Sequence, residues 1–228
     1  MAYRNKIALV YLLGFALDLV NMFAAAIAYP AISQELQASV TQLAWVGNAY
    51  MLGLTLIILP SVWLADVFGA KRLILASLLM FSVASWCVAQ SATIEALIGW
   101  RLLQGLAGGL LIPVGQALVY RHFPVRERAR LTSVILLVAL LVPALSPAVG
   151  GWVVQAGSWR WLFYANLPLA LLALLLATCW LASQPRPASR PALSYQSVAV
   201  GALNMARLLK SPLLRVAMVT YLFIPGIF

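Results

Sequence analysis

The chain has 228 residues, 64% of them hydrophobic and only 9% charged, and its mean hydropathy is +0.98. Soluble domains average roughly 45–50% apolar and about 25% charged residues, so composition sets aside a soluble enzyme, a disordered chain and a disulfide-stapled secreted scaffold. Lysine and arginine total 15 against 5 acidic residues, a net charge of +10, which points either to nucleic acid or to the cytoplasmic loops of a membrane protein.

Arg4 and Lys6 precede the first apolar run, 7–29. Ala26-Ile27-Ala28 imitates a signal-peptidase site, but a signal core is about 7–15 residues long. This run is longer and carries Asp18, so it reads as a retained helix. Further apolar runs fall at 43–65, 73–90, 94–120, 131–154 and 161–181. One helical span takes about 20 apolar residues. The runs are continuously apolar rather than alternating, and only helices or closed barrels satisfy the backbone in lipid. The expected fold is an all-α membrane protein, a six-helix transmembrane bundle over 1–182. A Pro/Arg-rich linker with a possible surface amphipathic helix follows over 183–212. A further apolar run over 213–228 is too short to span, so the chain is expected to end at the start of a seventh helix.

Charge distribution sets orientation. With the amino terminus inside, Arg4, Lys6, Lys71, Arg72, Arg121, Arg126, Arg128, Arg130, Arg186, Arg190, Arg207, Lys210 and Arg215 all fall on the inner side. Only Arg160 falls outside, and Arg101 lies within the fourth span. This meets the positive-inside rule and removes the need for nucleic acid as a partner. Tryptophans near the span ends add an aromatic belt. Cys87 and Cys179 are placed near opposite faces, beyond the roughly 7 Å that a disulfide allows. One histidine, His122, and no C-x-x-C leave no metal site, and no phosphate-binding G-x-x-x-x-G-K-[ST] is present. No cofactor is expected.

Four motifs carry more specific information. The turn between spans two and three reads VWLADVFGAKR (62–72), and the fourth span holds RLLQGLAGG (101–109). The fifth ends in PALSPAVGGW (143–152), followed by SWRWLFYANLP (158–168). At these residues the chain resembles the major facilitator superfamily, most of all its drug:proton antiporter (multidrug efflux) branches. The resemblance runs through all six predicted spans in order.

The resemblance implies roles residue by residue. Asp66, Gly69, Lys71 and Arg72 match the family's inner-loop latch, with Val62, Val67 and Ala70 departing from it. The alternative is a tight turn whose basic residues only fix topology. Arg101, Gln104 and Gly105 match an intramembrane R-x-x-Q-G pattern. Arginine inside a span normally faces a cavity or a partner; the alternative is snorkelling to the outer surface. Gly105 and Gly109 make a small-residue face for close helix approach. Pro143, Pro147, Gly150 and Gly151 match the antiporter-type bend, although Val142 and Ser146 replace two of its glycines; the alternative is that the two prolines only shape packing.

The first span departs furthest from the family pattern, whose aspartate falls on Asn21 here. Asp18 shares a helix face with that position and is the acidic residue available. A carboxyl at mid-membrane is a functional candidate by default. At a rise of 1.5 Å per residue, Asp18 lies about 16 Å and Arg101 about 10 Å below the outer end, close enough for a direct pair. Asp18 and Arg101 are the proton-coupling candidates; the alternative is a structural Asp18–Arg101 pair that holds the bundle together. Asn21, Asn48, Tyr50 and Gln104 are the candidates for the substrate cavity.

Together these features imply the amino-terminal half of a proton-coupled exporter of small amphipathic molecules, an integral protein of the bacterial inner membrane with its amino terminus cytoplasmic. Its partners would be the lipid bilayer, protons, a small-molecule substrate, and a missing carboxy-terminal half or a second copy. Two alternatives stand: a symporter or uniporter of a small metabolite, and a truncated membrane protein that transports nothing.

Overall fold

A computed structural model describes residues 2–182. The linker expected over 183–212 and the apolar run over 213–228 lie outside the described residues. Within them the chain forms α1 (Tyr3–Leu36), α2 (Val40–Phe68), α3 (Ala70–Ala89), α4 (Ile94–His122), α5 (Val125–Ala156), α6 (Arg160–Tyr164) and α7 (Asn166–Trp180). With α6 and α7 taken together as Arg160–Trp180, 6 helices among the described residues are long and apolar enough to cross a membrane.

The helices overrun the apolar stretches because hydrogen bonding continues until a cap stops it. α1 passes through Pro30 and ends where Gln37 adopts a left-handed conformation (φ 52°), its N–H bonded to the Ser33 carbonyl. Ser39 and Gln42 then form a reciprocal capping box that starts α2. Gly69 joins α2 to α3 at φ 86°, a conformation costly for a residue with a Cβ. The sixth run is broken at Ala165 rather than continuous. Pro168 has no N–H for the Tyr164 carbonyl, so the helical ladder lapses there.

Side-chain contacts sort the turns into two ends. At one end Arg4 pairs with Glu127 at 2.8 Å, the Tyr3 hydroxyl accepts the Ala182 N–H at 3.0 Å, and Tyr3 meets His122 edge-on. At the other, Arg160 pairs with Glu35 and donates to the Ser91 carbonyl at 3.1 Å, while Trp159 Nε1 donates to Glu35 at 2.7 Å. The first end collects the basic residues around the α4–α5 turn. Cys87 and Cys179 are both free thiols.

Apolar packing follows the same division. One cluster, including Ile7, Leu78, Val114 and Ala177, fills the basic end. A second, including Ala28, Val46, Leu97 and Phe163, fills the opposite end. A small set, Leu17, Phe81, Ala107 and Ala170, lies between in chain position. α2 and α5 keep large apolar side chains exposed, among them Leu59, Leu140 and Trp152, a surface suited to lipid.

Two outcomes are expected. In a background lacking Cys87 and Cys179, Gln37→Cys or Gly157→Cys will label with an impermeant maleimide added outside cells, and Glu127→Cys will not. The opposite pattern would reverse the orientation. The second concerns Glu35, which lies past the apolar run 7–29. Burial opposes its ionisation, but hydrogen bonds from Arg160 and Trp159 and the Arg160 charge outweigh burial and hold its carboxyl below the usual range. The stabilisation is then present above the ordinary carboxylate range and lost as pH falls through the depressed value. Glu35→Gln should lower thermal stability at neutral pH by no more than about 1 kcal/mol, as for exposed pairs, and the difference should vanish in acid.

Candidate functional site

Between the two apolar end clusters the bundle carries a layer of buried polar side chains. α4 supplies Arg101, Gln104, Gly105 and Gly108, a spacing of three and four that keeps them on one helix face. α1 supplies Asp18 and Asn21, α2 supplies Tyr50, α3 supplies Ser85 and α7 supplies Asn166. All of these side chains are buried.

Arg101 is 1% exposed, so it does not snorkel to the outer surface. Its Nε donates to the Val46 carbonyl at 3.2 Å and its Nη1 to Gln104 Oε1 at 2.9 Å. The guanidinium carbon stands 4.3 Å from the Tyr50 ring centroid and 5.8 Å from that of Phe163. Gln104 in turn donates from Nε2 to Ser85 Oγ at 2.7 Å.

Asp18 is 2% exposed. A direct Asp18–Arg101 pair is not what forms, since the ion pairs among the described residues are Arg4–Glu127 and Arg160–Glu35. Instead the Tyr50 hydroxyl donates to Asp18 Oδ1, and the ring of the same tyrosine carries Arg101. Depth along the helices brought the two charges to one level, and an aromatic residue from a third helix fills the space between them.

Asn21 accepts from Asn166 Nδ2 at 3.1 Å through its Oδ1. It stands beside Tyr50, and among the described residues its Nδ2 lacks a hydrogen bond of good geometry. Tyr50 and Gln104, expected on a cavity wall, are thus sealed in this network together with Asn21. Asn48 lies apart from them on an exposed face of α2.

Glycines make the layer possible. A Cβ on Gly109 would meet the Leu54 carbonyl at 2.7 Å, and one on Gly53 would meet the Leu106 amide nitrogen at 2.8 Å. A Cβ on Gly105 would run into the Tyr50 backbone. This is backbone-to-backbone contact between α2 and α4, the use of small residues expected where lipid is as apolar as the core. Gly108 has a different role, because a Cβ there would meet Asp18 Oδ1 and the Tyr50 hydroxyl.

The inner-loop residues divide. Lys71 Nζ donates to the Thr178 carbonyl at 3.1 Å, in the last turn of α7 where unpaired carbonyls and the helix dipole favour a cation. Gly69 makes the turn, Arg72 is exposed, and half-buried Asp66 has no ion pair among the described residues. On α5 the helix runs unbroken through Pro143 and Pro147. A Cβ on Gly150 would meet Ile27 Cδ1 at 2.6 Å, whereas Gly151 has open space. Beside them Val20, Val142, Val149 and Leu162 line an apolar groove of about 260 Å³.

Ser85, Asn166 and Gly108 were not singled out from the sequence. Asn166 sits within the quoted motif 158–168 and carried a usable signal, an amide in an apolar run. Ser85 and Gly108 carried none, since serine and glycine are ordinary in spanning helices.

The family model of the Major Facilitator Superfamily matches residues 11–228. Over 151 residues the chain is 39% identical to the multidrug resistance protein B homolog of Mycobacterium tuberculosis, covering 66% of this chain and 27% of that protein. It is 29% identical over 206 residues to the uncharacterized transporter YebQ of Escherichia coli, covering 90% of this chain and 45% of that protein. The chain therefore spans less than half the length of these curated relatives. Among solved structures, a D-xylose-proton symporter superposes with a TM-score of 0.71 at 16% identity, covering 95% of this chain and 55% of that one. At that identity the likeness shows the fold.

The glycine contacts predict a graded outcome. Gly105→Ala should destabilise the detergent-solubilised protein by about 1–3 kcal/mol, the range for overpacking. Gly99 has nothing within 4 Å of a Cβ, so Gly99→Ala should be neutral or stabilising by about 0.4–1 kcal/mol. Fluorescence-detected thermal unfolding reads both, and equal effects would disprove the close contact.

Proposed function

This chain belongs to the Major Facilitator Superfamily of transporters, and from that premise we propose that it serves proton-coupled export of small amphipathic molecules, with Asp18 as the proton carrier. The observation that carries this reading is the buried Asp18 carboxyl, at mid-bundle and one tyrosine away from a buried Arg101. Burial favours the neutral form of a carboxyl and a nearby cation favours the ionised form. Such opposed influences let a small change in surroundings load or release a proton. The multidrug-resistance relatives support a drug-like substrate, and the apolar groove beside Gly150 supports one with an apolar body.

In this reading Arg101 tunes Asp18, and Gln104 holds Arg101 in place. Asn21 offers an amide donor that is unpaired among the described residues. Asn48 is an exposed amide on a spanning helix, where facing lipid is unfavourable, so it faces the substrate path or another segment. Asp66 is free to serve as an inner latch against a partner segment, while Lys71 is engaged within the bundle. The six helices act as one of two bundles that rock about a central site; the other is a carboxy-terminal half or a second copy. The amino terminus is cytoplasmic, in a bacterial inner membrane.

The test is substrate flux in everted vesicles carrying the transporter at its natural length. Asp18→Asn should insert normally and lose export driven by a pH gradient. Arg101→Ala should displace the pH profile rather than only reduce abundance. Normal export by Asp18→Asn with unchanged pH dependence would overturn the assignment, and proton-driven uptake in place of export would make the protein a symporter.

A further inference from the structure

Tyr50 has two contacts that no cavity-wall residue needs. Its hydroxyl is committed to Asp18 Oδ1, and its ring lies 4.3 Å from the Arg101 guanidinium carbon. It has no exposed surface with which to meet a substrate. Resting on the assignment of Asp18 as proton carrier, we propose that Tyr50 is the positioning residue that converts the charge state of Asp18 into a placement of Arg101.

The coupling is geometric. While Asp18 is ionised, the phenol donates to a carboxylate, a charge-assisted bond roughly twice as strong as a neutral one. That bond fixes the ring, and the fixed ring is a cation–π platform for the guanidinium. When Asp18 takes a proton from water, the carboxyl becomes neutral and the bond loses its charge-assisted part. Tyr50 keeps its own proton throughout. The ring is then held less firmly, and the platform under Arg101 loosens with it.

Arg101 is also tied to α2 by the Nε bond to the Val46 carbonyl, one turn before Tyr50. A shift of the guanidinium therefore acts on α2, the helix whose backbone lies against α4 at Gly53, Gly105 and Gly109. A gain or loss of one proton on α1 thus reaches the α2–α4 contact. Gly108 supports the same reading from a fourth position, since a Cβ there would occupy the space of the Asp18–Tyr50 pair.

The groups that act on Asp18 are few. Tyr50 comes from α2 and Arg101 from α4. Tyr29, on α1 itself, acts on Arg101. From α7 the neighbouring polar group is the Asn166 amide, reached through Asn21, and it does not titrate. Among the described residues no charged group of α5 or α6 acts on Asp18.

The test is an infrared titration of the chain in lipid nanodiscs. Only 5 acidic side chains are present, so the band lost in Asp18→Asn identifies the Asp18 carboxyl. Removing a donor to the ionised form favours protonation. Tyr50→Phe keeps the ring and should move the Asp18 midpoint to higher pH by about one unit, or about tenfold in proton affinity. It should also move the protonated-carboxyl band to higher frequency. Arg101→Gln should move the midpoint in the same direction. The size of that shift should differ between the chain with Tyr50 intact and the chain carrying Tyr50→Phe, as for coupled neighbours. 3-Fluorotyrosine placed at position 50 alone by codon suppression preserves shape and strengthens the donor, so it should move the midpoint to lower pH even if the Tyr50→Phe chain fails to insert. A titrating Asp18 that ignores these changes would overturn the role of Tyr50 and leave the proton-carrier reading standing. A carboxyl that never titrates would overturn both.

Discussion

A guanidinium held in the middle of an apolar bundle is the constraint on which the rest of the structure depends. Placing arginine at the centre of a spanning helix is unfavourable by about 2.5–3.5 kcal/mol on the insertion scale. Two hydrogen bonds from a charged group, at about 1.5–3 kcal/mol each, are enough to offset that, and Arg101 has them in the Val46 carbonyl and Gln104. The aromatic faces of Tyr50 and Phe163 add to the balance. Each of these partners requires a close neighbour. Reaching the Val46 carbonyl needs α2 against α4, which needs Gly53, Gly105 and Gly109. Orienting Gln104 needs Ser85 from α3. The polar layer and the glycine contact are one device.

The same accounting explains what the sequence made legible. Spans, their order and the basic end follow from apolar runs and the placement of lysine and arginine, because lipid imposes those terms on sequence directly. Asp18 and Arg101 stood out as charges where charges are unfavourable. Depth was also readable, since rise per residue is fixed. Azimuth was not. On a soluble helix the apolar stripe marks the buried face, but here lipid and core are equally apolar and no stripe exists. Sequence therefore placed Asp18 and Arg101 at similar depth and left open what lies between them. Tyr50 could be named as a polar residue of the second span, but not as the group that separates the two charges.

Departures from the family pattern have local consequences of the same kind. Ser146 stands where the antiporter-type bend has a glycine, and its hydroxyl bonds back to the Val142 carbonyl at 2.7 Å. The serine thus satisfies itself within α5 and asks nothing of its neighbours. Gly150 keeps the function that a missing Cβ allows, contact with Ile27 of α1. Pro143 and Pro147 leave the carbonyls of Ala139 and Pro143 without their helical donors, so α5 carries its irregularity in the stretch that borders the apolar groove. The break at Ala165 arises likewise from a single absent donor, at Pro168, and sets Asn166 at the start of α7 facing Asn21.

Exposures of 2% at Asp18 and 1% at Arg101 mean that this arrangement is closed around the proposed proton site. Under the proposed role, Asp18 must meet water to exchange a proton, which requires some contact around it to open. α2 is held to α4 by backbone contacts at three glycines, and parting them would also strip Arg101 of the Val46 carbonyl. α5 is held to α1 by apolar contact at Gly150, by the groove lining, and by the Arg4–Glu127 pair at one end, which is partly exposed. Exposed ion pairs contribute about 0–1 kcal/mol. The Asn21 amide, short of one acceptor among the described residues, is a polar group that a water molecule would satisfy. Of these two sides, opening between α1 and α5 disturbs fewer polar contacts. In the proposed mechanism Tyr50 then stays on the sealed side beside Arg101.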